Sequence, residues 1–473
     1  MRGHIERELK LDPGEGFELP PLDGVPLESR LFTSTYYDTP ARSLTGAGLT
    51  LRRRVENGLS HWQLKLPAAG AARHELEALG GPAGPPDEIR QLLAAHARHG
   101  DFEPVATLRT RRRGVRVDDD GRSVADVTID LVEVLEGNRA AGQFAELEVE
   151  LVDGDEADLT RLGRVLRRAG ASRSDGRPKV MRVLRPAEPS RATGGTTIER
   201  VQRLLAQQLR ELERRDPGVR LGGAAEDLHQ FRVATRRSRA VIRATRPIFG
   251  NALTPVAEEL KWLTSLLGPV RDLDVLIEHV RVRDEIRSFD RESAGGADLV
   301  ARLEEERGLR RDELLAGLNE PRYAALLAEF ERAISTLPQL EAHSGGLRPI
   351  ARRELKRLRK RARGTAEEPS DEALHELRIA AKRARYAAEL AATVGADRKL
   401  RRYLTAMKAV QDTIGAHQDG VVAEARLRSA ASATSALAAG RLIERQRARR
   451  TASRSQYRAA LDAALEAGAS ALR

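Results

Sequence analysis

The sequence predicts a two-domain α+β protein in which a sheet-rich domain is followed by an all-α domain. The hydrophobic period changes from 2 to 3.6 residues near a Pro-, Gly-, Ser- and Thr-rich stretch at 186–197. The charge changes there too, because residues 1–190 carry 28 basic and 31 acidic side chains, whereas residues 191–473 carry 53 and 39. The predicted boundaries are 1–187 for the first domain, 188–197 for the linker and 198–473 for the second domain.

The composition of the 473 residues excludes several classes of protein. Because the chain has no cysteine, disulfides, thiol catalysis and Cys-ligated zinc are excluded. No apolar run approaches the ~20 residues that span a bilayer, and MRGHIERELKL has no apolar signal region. We therefore expect a cytoplasmic protein without a membrane partner. The net charge of +11 suggests a polyanionic partner, but an aromatic content of 3% argues against nucleic acid bound by base stacking.

Six segments of the first domain alternate between apolar and polar residues with the period of a β-strand. In chain order they are HIERELKL (4–11), LTLRRRV (49–55), HWQLKL (61–66), ATLRTRRRGVRV (106–117), SVADVTIDLVEV (123–134) and QFAELEVELV (143–152). Gly-, Pro- and Asp-rich turns separate the strands, and two stretches around 87–99 and 156–170 have the helical period.

The polar faces of these strands are segregated by the sign of their charge. The acidic rows are Glu6 and Glu8, Asp126 and Asp130, and Glu146, Glu148 and Glu150; the basic rows are Arg52 and Arg54, and Arg109, Arg111 and Arg113. A row of three carboxylates is repulsive unless cations lie opposite. If the sheet closes on itself, both signs line one tunnel, where cations grip phosphate and carboxylates hold a divalent metal. The alternative is an ordinary antiparallel sheet with a solvated, salt-bridged face.

The ordered set of motifs resembles the CYTH domain of the triphosphate tunnel metalloenzymes. The resemblance begins with the ExExK pattern of Glu6, Glu8 and Lys10. It continues through YYDTP (36–40), LRRR (51–54), QLK (63–65), RHE (73–75), the basic strand at 109–113, TID (128–130), ELEVEL (146–151) and Lys179. It implies an eight-stranded antiparallel tunnel with flanking helices that hydrolyses triphosphates with Mg²⁺ or Mn²⁺.

The resemblance also implies a role for each charged position of the tunnel. The implied metal ligands are Glu6, Glu8, Glu146, Glu148 and Glu150. The implied phosphate-binding cations are Lys10, Arg52, Arg54, Arg111, Arg113 and Lys179. The positions implied for catalysis are Lys65, which also belongs to the phosphate grip, and Glu75 and Asp130, which would orient the metal or the attacking water.

The second domain is predicted to be almost entirely helical and contains an internal duplication. LHQFRVATRRSRAV (228–241) recurs as LHELRIAAKRARYA (374–387), and LLGPVRDLD (266–274) matches TIGAHQDGV (413–421). The first His and the Asp of each copy are 43 residues apart in one copy and 44 in the other. The repeated unit, about 225–290 and 371–440, therefore contains several helices.

Each copy of the repeat carries a stripe of cations on one helix face. The stripes are His229, Arg232, Arg236, Arg239 and Arg243, and His375, Arg378, Lys382 and Arg385. Because like charges one turn apart destabilise a helix, a bound polyanion explains the stripes better than helix stability does. The alternatives are a solvated basic face and a metal site built from His229, His375 and His417 with aspartates.

The repeats resemble the CHAD domain, a conserved-histidine α-helical domain. The resemblance rests on the two HxxR helices, on LKWLTSLLGPVRDLDV (260–275) and on MKAVQDTIGAHQD (407–419). It implies two pseudo-symmetric four-helix bundles with a basic cleft that binds inorganic polyphosphate. The implied polyphosphate-binding positions are His229, Arg232, Arg236, Arg237, Arg239, Lys261, Arg271, His375, Arg378, Lys382, Arg383, Arg385, Lys408 and His417.

The leading hypothesis from the sequence is a metal-dependent inorganic triphosphatase joined to a polyphosphate-binding domain. The helical half would deliver long chains or tether the enzyme to polyphosphate granules. One alternative is a non-catalytic polyphosphate-binding or granule-associated protein. Others are a thiamine, nucleoside or RNA 5′-triphosphatase and an adenylate cyclase of the CYTH type. A nucleic-acid-binding protein is favoured only by the isoelectric point of about 10.2.

Overall fold

The computed structural model describes residues 1–68, 72–184, 196–281, 295–337, 347–393 and 395–473. The chain divides into two compact units, which are Met1–Ser190 with Glu213–Asp227 and Arg191–Leu212 with Leu228–Arg473. The predicted boundaries did not anticipate that residues 213–227 group with the first unit. The predicted linker at 188–197 lies almost entirely outside the described residues.

The described part of the first unit contains an antiparallel sheet of ten strands rather than the eight expected. The strands are β1 (Arg2–Glu6), β2 (Glu8–Asp12), β3 (Gly24–Asp38), β4 (Thr50–Glu56), β5 (Leu59–Pro67), β6 (Arg73–Leu79), β7 (Glu103–Asp119), β8 (Arg122–Glu136), β9 (Arg139–Leu151) and β10 (Ser172–Arg173). The number is higher because Arg7 divides the first strand in two and because the two-residue β10 adds another.

The pairing of the first strand closes the sheet on itself. The strand order is β1-β6-β5-β4-β3-β7-β8-β9-β2-β10. β1 pairs with β6 and β2 pairs with β9, although β1 and β2 are separated along the chain only by Arg7. The Leu151 N–H donates to the Arg7 carbonyl oxygen at 3.0 Å, so hydrogen bonding continues across the break. The sheet therefore encloses a tunnel.

Most of the short helices of this unit cover the outer face of the sheet, whereas the last of them packs against the inward-facing Tyr36, Leu108 and Val132 and contributes Lys179 to the tunnel. They are α1 (Ser43–Ala47), α2 (Asp87–Leu92), α3 (Ala94–Ala97), α4 (Glu156–Arg168) and α5 (Lys179–Leu184). Leu162 and Leu166 of α4 pack with Val127 and Val149 of the sheet. The fully buried Trp62 belongs to a second cluster with residues of α1 and α2.

The YYDTP motif shapes the turn between β3 and α1. The fully buried Asp38 carboxylate accepts hydrogen bonds from the backbone N–H groups of Thr39, Leu44 and Thr45 at 2.8–2.9 Å. The Thr45 hydroxyl donates a fourth hydrogen bond at 2.5 Å. The aspartate of this motif is therefore structural, because it satisfies N–H groups at the start of a helix.

Nine further helices follow in the described part of the chain. They are α6 (Thr197–Leu221), α7 (Ala225–Phe249), α8 (Thr254–Arg281), α9 (Gly295–Asn319), α10 (Pro321–Ser335), α11 (Arg348–Arg363), α12 (Asp371–Ala392), α13 (Arg398–Ala430) and α14 (Ala436–Ala471). None of the helices among the described residues has the length and apolar composition needed to cross a membrane.

The repeated sequences fall on α7 and α8 in the first copy and on α12 and α13 in the second. α8 packs against α9 and α10, whereas α11, α12, α13 and α14 pack each against the next. Leu276 of α8, Leu303 of α9, Leu427 of α13 and Leu442 of α14 belong to one apolar cluster. This cluster joins helices from both copies of the repeat.

Candidate functional sites

The tunnel is a cavity of about 260 Å³ whose lining is dominated by charged side chains. Strand alternation explains this lining, because inward positions recur at every second residue. Eleven of the residues predicted for the tunnel line it: Glu6, Glu8, Lys10, Arg52, Arg54, Lys65, Glu75, Asp130, Glu148, Glu150 and Lys179.

Arg111 and Arg113 do not line the tunnel, so their predicted position is wrong by one residue. Both are exposed on the outer face of β7, whereas Arg112 between them lines the cavity. Arg112 lies opposite Asp130 in the β7–β8 ladder and donates two hydrogen bonds to its carboxylate, each of 2.7 Å. Its Nη2 also lies 2.5 Å from Glu148. The sequence did contain a signal for the inward position of Arg112. Asp130 of the TID motif is buried, and a buried carboxylate needs a cation on the neighbouring strand.

Glu146 was expected to be a metal ligand, but its side chain is fully buried and does not line the tunnel cavity. Its fully buried side chain contacts Lys10 at 3.0 Å and Lys179 at 2.6 Å through Oε2. Its Oε1 has no hydrogen-bond partner among the described residues. Glu146 therefore acts as a buried counter-charge for two lysines.

The cations of the tunnel are held in place by carboxylates. Lys65 lies 2.5 Å from Glu6 and 2.8 Å from Glu75, and Lys179 lies 2.6 Å from Glu148. Burial opposes charge on these lysines, but the carboxylates raise the pKa of Lys65 and of Lys179 above the usual value. Burial likewise opposes charge on Glu75, but Lys65 and Arg52 hold its pKa at about 2. Lys65, Lys179 and Glu75 are therefore all ionised at neutral pH.

Glu6, Glu8 and Glu150 repel one another in the lining, although Lys65 lies 2.5 Å from Glu6 and Lys10 lies 3.5 Å from Glu8. Glu8 faces Glu150 across the β2–β9 ladder. Burial and the neighbouring Glu6 raise the pKa of Glu150 to about 7, and burial followed by Glu8 and Glu75 raises the pKa of Glu6. No described cation lies within 4 Å of Glu150.

This donor set fits a hard divalent cation, which prefers carboxylate oxygens and would relieve the repulsion. No three acidic or histidine side chains of the described residues converge as ready ligands. Side-chain rotation would therefore accompany metal binding at Glu6, Glu8 and Glu150.

Several residues that line the tunnel were not predicted as site residues, although Tyr36 lies in the YYDTP motif and Arg73 in the RHE motif. These residues include Arg30, Phe32, Tyr36 and Arg73. Glu56 accepts hydrogen bonds from Arg30 at 2.6 Å and from Arg54 at 2.7 Å. The Arg54 guanidinium lies 3.6 Å from the centre of the Phe32 ring, a cation–π contact. Burial and Arg52 lower the pKa of Arg54 to about 10, so it stays charged at neutral pH.

The helical unit contains a second cavity of about 710 Å³, which we call the cleft. Five helices, α7, α8, α12, α13 and α14, contribute to its lining. The duplication is visible in two equivalent ion pairs, Arg232 with Asp272 at 2.8 Å and Arg378 with Asp419 at 3.4 Å. Six predicted residues line the cleft: His229, Arg232, Arg236, Arg271, Arg378 and Lys382.

The cations of the two stripes crowd one another in the cleft. Burial, Arg378 and Arg236 lower the pKa of Lys382 to about 8. Burial lowers the pKa of Arg378, to which Arg236 and Arg232 add while Asp419 opposes. This repulsion is the electrostatic condition that a bound polyanion relieves.

The other eight predicted positions lie away from the cleft lining: Arg237, Arg239, Lys261, His375, Arg383, Arg385, Lys408 and His417. His375 is exposed, whereas His417 is 1% exposed and accepts a hydrogen bond from Arg454 at 3.1 Å. Arg385 donates to Glu389 at 2.8 Å and to a glutamine of α13. The helical stripes therefore point only partly into the cleft, and His229, His375 and His417 form no metal-binding group among the described residues.

The two matching family models meet near the place where the hydrophobic period of the sequence changes. Residues 4–182 match the CYTH domain, and residues 203–428 match the CHAD domain. An uncharacterized protein of Mycobacterium tuberculosis is 30% identical over 464 residues, which cover 90% of this chain and 88% of that protein.

Shorter matches involve enzymes and solved structures. The thiamine-triphosphatase of Homo sapiens is 43% identical over 96 residues, which cover 20% of this chain and 36% of that enzyme. That of Macaca fascicularis is 49% identical over 80 residues, or 16% of this chain and 33% of the enzyme. The crystal structure of the CHAD domain from the plant Ricinus communis is 28% identical, with a TM-score of 0.47, covering 59% of this chain and 94% of that one.

Proposed function

This chain belongs to the family of proteins that join a CYTH domain to a CHAD domain, and from that premise we propose a function for each half. The tunnel hydrolyses inorganic triphosphate with the help of a divalent metal ion, and the helical half binds inorganic polyphosphate. The observation that carries the proposal is the tunnel lining, where cations fixed by carboxylates share one cavity with the mutually repelling Glu6, Glu8 and Glu150.

The fixed cations supply the phosphate-binding part of the proposed reaction. Lys10, Arg52, Arg112 and Lys179 project into the same cavity. Their carboxylate partners orient them before a substrate arrives, so little reorganisation accompanies binding. Arg112 adds positive charge to this set, with its Nε and Nη2 donors held by Asp130 and Glu148.

Enzymes of the CYTH tunnel family use divalent metal ions, commonly Mg²⁺. In this chain Glu6, Glu8 and Glu150 are the residues that would hold the ion. When bound, a divalent metal withdraws charge from phosphoryl oxygens and neutralises charge that develops as the phosphoanhydride breaks.

The remaining residues orient the substrate and water for an in-line displacement. A water oxygen forms a new bond to the terminal phosphorus, the bridging P–O bond breaks, and diphosphate leaves with the bridging oxygen. Glu75 stays ionised and fixes Lys65, while Asp130 fixes Arg112 and Lys179. These carboxylates therefore act by positioning cations, since their own oxygens are already engaged.

The chemistry of the lining favours a substrate without an organic group. Phe32 and Tyr36 are the aromatic residues of the lining, and each contacts an arginine, Arg54 and Arg52 respectively. The rest of the lining is polar except for Pro178. Thiamine triphosphate is the second candidate substrate, favoured by the 43–49% identity to thiamine-triphosphatases over 80–96 residues.

The hydrolysis proposal is tested by measuring phosphate released from inorganic triphosphate with Mg²⁺ or Mn²⁺. We expect activity in the wild-type chain, a large loss in Glu8→Gln, and no loss in Glu133→Gln, whose side chain is 45% exposed outside the tunnel lining. Wild-type release no greater than that of Glu8→Gln would contradict the proposal and favour a non-catalytic polyphosphate-binding protein. Thiamine triphosphate and ATP in the same panel rank the substrates, and release of pyrophosphate with cyclic AMP would indicate a cyclase.

The polyphosphate proposal is tested by binding of labelled polyphosphate to the full chain. Arg378→Gln is expected to weaken binding, because Arg378 lines the cleft, whereas the exposed Lys408→Gln is expected to leave it unchanged. We further propose that the chain associates with polyphosphate granules in the cytoplasm. Absence of the wild-type chain from isolated polyphosphate granules would contradict this localisation.

A further inference from the structure

Glu56 is a carboxylate at one end of the tunnel. It is the last residue of β4, and the chain turns back into β5 through Asn57 and Gly58, whose φ angles are 48° and 77°. In the β3–β4 ladder Glu56 lies opposite Phe32, which belongs to the tunnel lining. Directly opposed residues of an antiparallel pair lie on the same face of the sheet. Glu56 is therefore on the inner face of the sheet, at the point where the strand ends.

Two arginines of the tunnel lining hold the Glu56 carboxylate. Arg30 donates to one oxygen from Nε at 2.6 Å and to the other from Nη2 at 2.8 Å, and Arg54 donates from Nη2 at 2.7 Å. The Arg30 side chain is 51% exposed, which places it where the lining meets solvent. Burial opposes charge on Glu56, but the hydrogen bonds from Arg30 and the charge of Arg54 hold its pKa below the usual value. Glu56 is therefore ionised at neutral pH.

Glu56 does not fully compensate the arginines beside it. The buried Nε of Arg54 has no hydrogen-bond partner in the part of the chain that the structure describes. Burial, followed by the charge of Arg52, lowers the pKa of Arg54 to about 10. Arg30 and Arg112 add to this repulsion, which Glu56 only partly offsets. A phosphate bound on the tunnel side of Glu56 would relieve the remaining repulsion among these cations.

A carboxylate held by two guanidinium groups occupies a position that suits a phosphate, because both anions accept the same charge-assisted hydrogen bonds. Glu56 already uses Nε and Nη2 of Arg30, so this arginine has few donors left for a substrate. A phosphate chain that extends past Arg54 would meet the negative charge of Glu56 and would have to displace it from Arg30. Such a juxtaposition of like charges is strongly unfavourable.

We propose that Glu56 limits the length of the phosphate chain that the tunnel accepts. This inference rests on the proposed hydrolysis of inorganic triphosphate. The last phosphate of triphosphate lies against Arg54, and Glu56 occupies the position of a fourth phosphate. Glu56 is therefore a specificity-determining residue that acts against longer substrates by charge repulsion. The tunnel then hydrolyses triphosphate and leaves intact the long polymer that the helical half is proposed to bind.

The test compares kcat/KM for linear tetraphosphate with kcat/KM for triphosphate in the presence of Mg²⁺. The wild-type chain is expected to favour triphosphate by about tenfold or more. Glu56→Gln keeps the size of the side chain but removes its charge, so we expect it to raise the relative value for tetraphosphate by about tenfold. Equal values for the two substrates in the wild type would overturn the proposal.

Glu136→Gln is the matched control. Glu136 also ends a strand before a two-residue turn, but it is exposed and lies outside the tunnel lining, so its variant should keep the wild-type ratio. A purely structural role of Glu56 would lower both values by the same factor. An unchanged ratio in Glu56→Gln would therefore also overturn the proposal.

Calorimetric titration in EDTA separates this inference from the proposed hydrolysis. If the wild-type chain releases no phosphate from triphosphate, the proposed function fails, and binding of the two phosphate chains still tests Glu56. Glu56→Gln is expected to bind tetraphosphate about tenfold more tightly than the wild type, with less than about a twofold change for triphosphate. The cleft of the helical half is unaltered in this variant, so its own binding is the same in both proteins. Equal tetraphosphate affinity in the two proteins would overturn the proposal.

Discussion

Arg112 connects three neighbouring strands of the tunnel through one side chain. It lies on β7, donates to Asp130 on β8 and contacts Glu148 on β9. These contacts use most of the guanidinium donors in a fixed orientation. The residue therefore couples the geometry of two acidic strands to the position of a cation in the tunnel lining.

Arg112→Lys is expected to lower kcat/KM for inorganic triphosphate by about tenfold or more, because lysine keeps the charge but loses the paired N–H donors. Arg111→Lys is the matched control, since the adjacent side chain is exposed and should leave the activity unchanged. Steady-state phosphate release measures both. A larger loss from Arg111→Lys than from Arg112→Lys would place the wrong face of β7 in the tunnel.

The sequence could not distinguish these adjacent arginines. Alternation assigns a face only where apolar and polar residues contrast, and residues 109 and 111–113 place arginine at both parities. The choice is made by the neighbouring strand, where the inward Asp130 stands opposite Arg112. Glu6 and Glu8 of the ExExK motif line the tunnel as expected, because each is flanked by an apolar residue on one side and by Arg7 on the other.

We expect Lys382 to make the proposed polyphosphate binding dependent on pH. Its pKa of about 8 in the free protein follows from burial and from Arg378, Arg236 and Arg232, which Asp419 only partly offsets. A bound polyanion raises that pKa, so the charge on Lys382 contributes fully to polyphosphate affinity below about pH 8. Above about pH 8 the affinity falls by up to about tenfold per pH unit. Lys382→Arg should bind with little change between pH 7.5 and 9.5. Titration of labelled polyphosphate across this range measures the effect, and a flat wild-type profile would contradict it.

Among the elements, the five-residue α1 depends on a single carboxylate. Asp38→Ala removes the acceptor of four hydrogen bonds, three of them from backbone N–H groups that would remain buried. We expect the free energy of unfolding of the first unit to fall by about 2–4 kcal/mol. The exposed Asp101→Ala serves as the control and should be nearly neutral. Urea unfolding of both variants in a Trp262→Phe background, where Trp62 is the remaining tryptophan of the near-ultraviolet circular dichroism signal, gives the comparison, and equal midpoints would contradict the structural role.

Helix periodicity predicted which residues share a face but could not orient that face. In the first copy His229, Arg232 and Arg236 line the cleft, whereas Arg239 does not. In the second copy His375 is exposed, although it aligns with His229. His417 replaces the apolar Val270 of the first copy and is buried with Arg454 and Asp371. The orientation depends on packing between helices that are distant in sequence, and a single repeat unit does not encode it.

At the scale of the whole molecule, the two halves use charge differently. Residues 1–190 have nearly equal numbers of acidic and basic groups, and the tunnel pairs them in a buried site. Residues 191–473 have an excess of 14 positive charges, from 53 basic and 39 acidic side chains. The general division into domains, the tunnel and the repeat were all predictable, because they depend on period and spacing along the chain. The strand count was not, since the interruption at Arg7 leaves no break in alternation.

The affinity for long polyphosphate is expected to fall more steeply with salt than the affinity for triphosphate in the tunnel. In the proposed binding mode a long polyphosphate would contact solvent-accessible cations of the helical half, and salt screens exposed charges more than buried ones. Between about 50 and 200 mM salt we expect polyphosphate affinity to fall by about tenfold or more. Parallel measurements of polyphosphate binding and of KM for triphosphate provide the test. An equal dependence on salt concentration for polyphosphate affinity and for the KM of triphosphate would contradict this difference between the two halves.

The divided first strand imposes an order on folding during synthesis. β2 leaves the ribosome well before its partner strand β9, because the partner of Lys10 in the ladder is Glu148, 138 residues later. At ~5–20 residues per second, β2 waits roughly 7–28 s for β9 and meanwhile exposes unpaired backbone groups. Until β9 emerges, the nascent sheet is open and can pair with strands of other chains. The acidic and basic side chains that serve the tunnel also protect this waiting edge, because charged residues on an edge strand discourage aggregation.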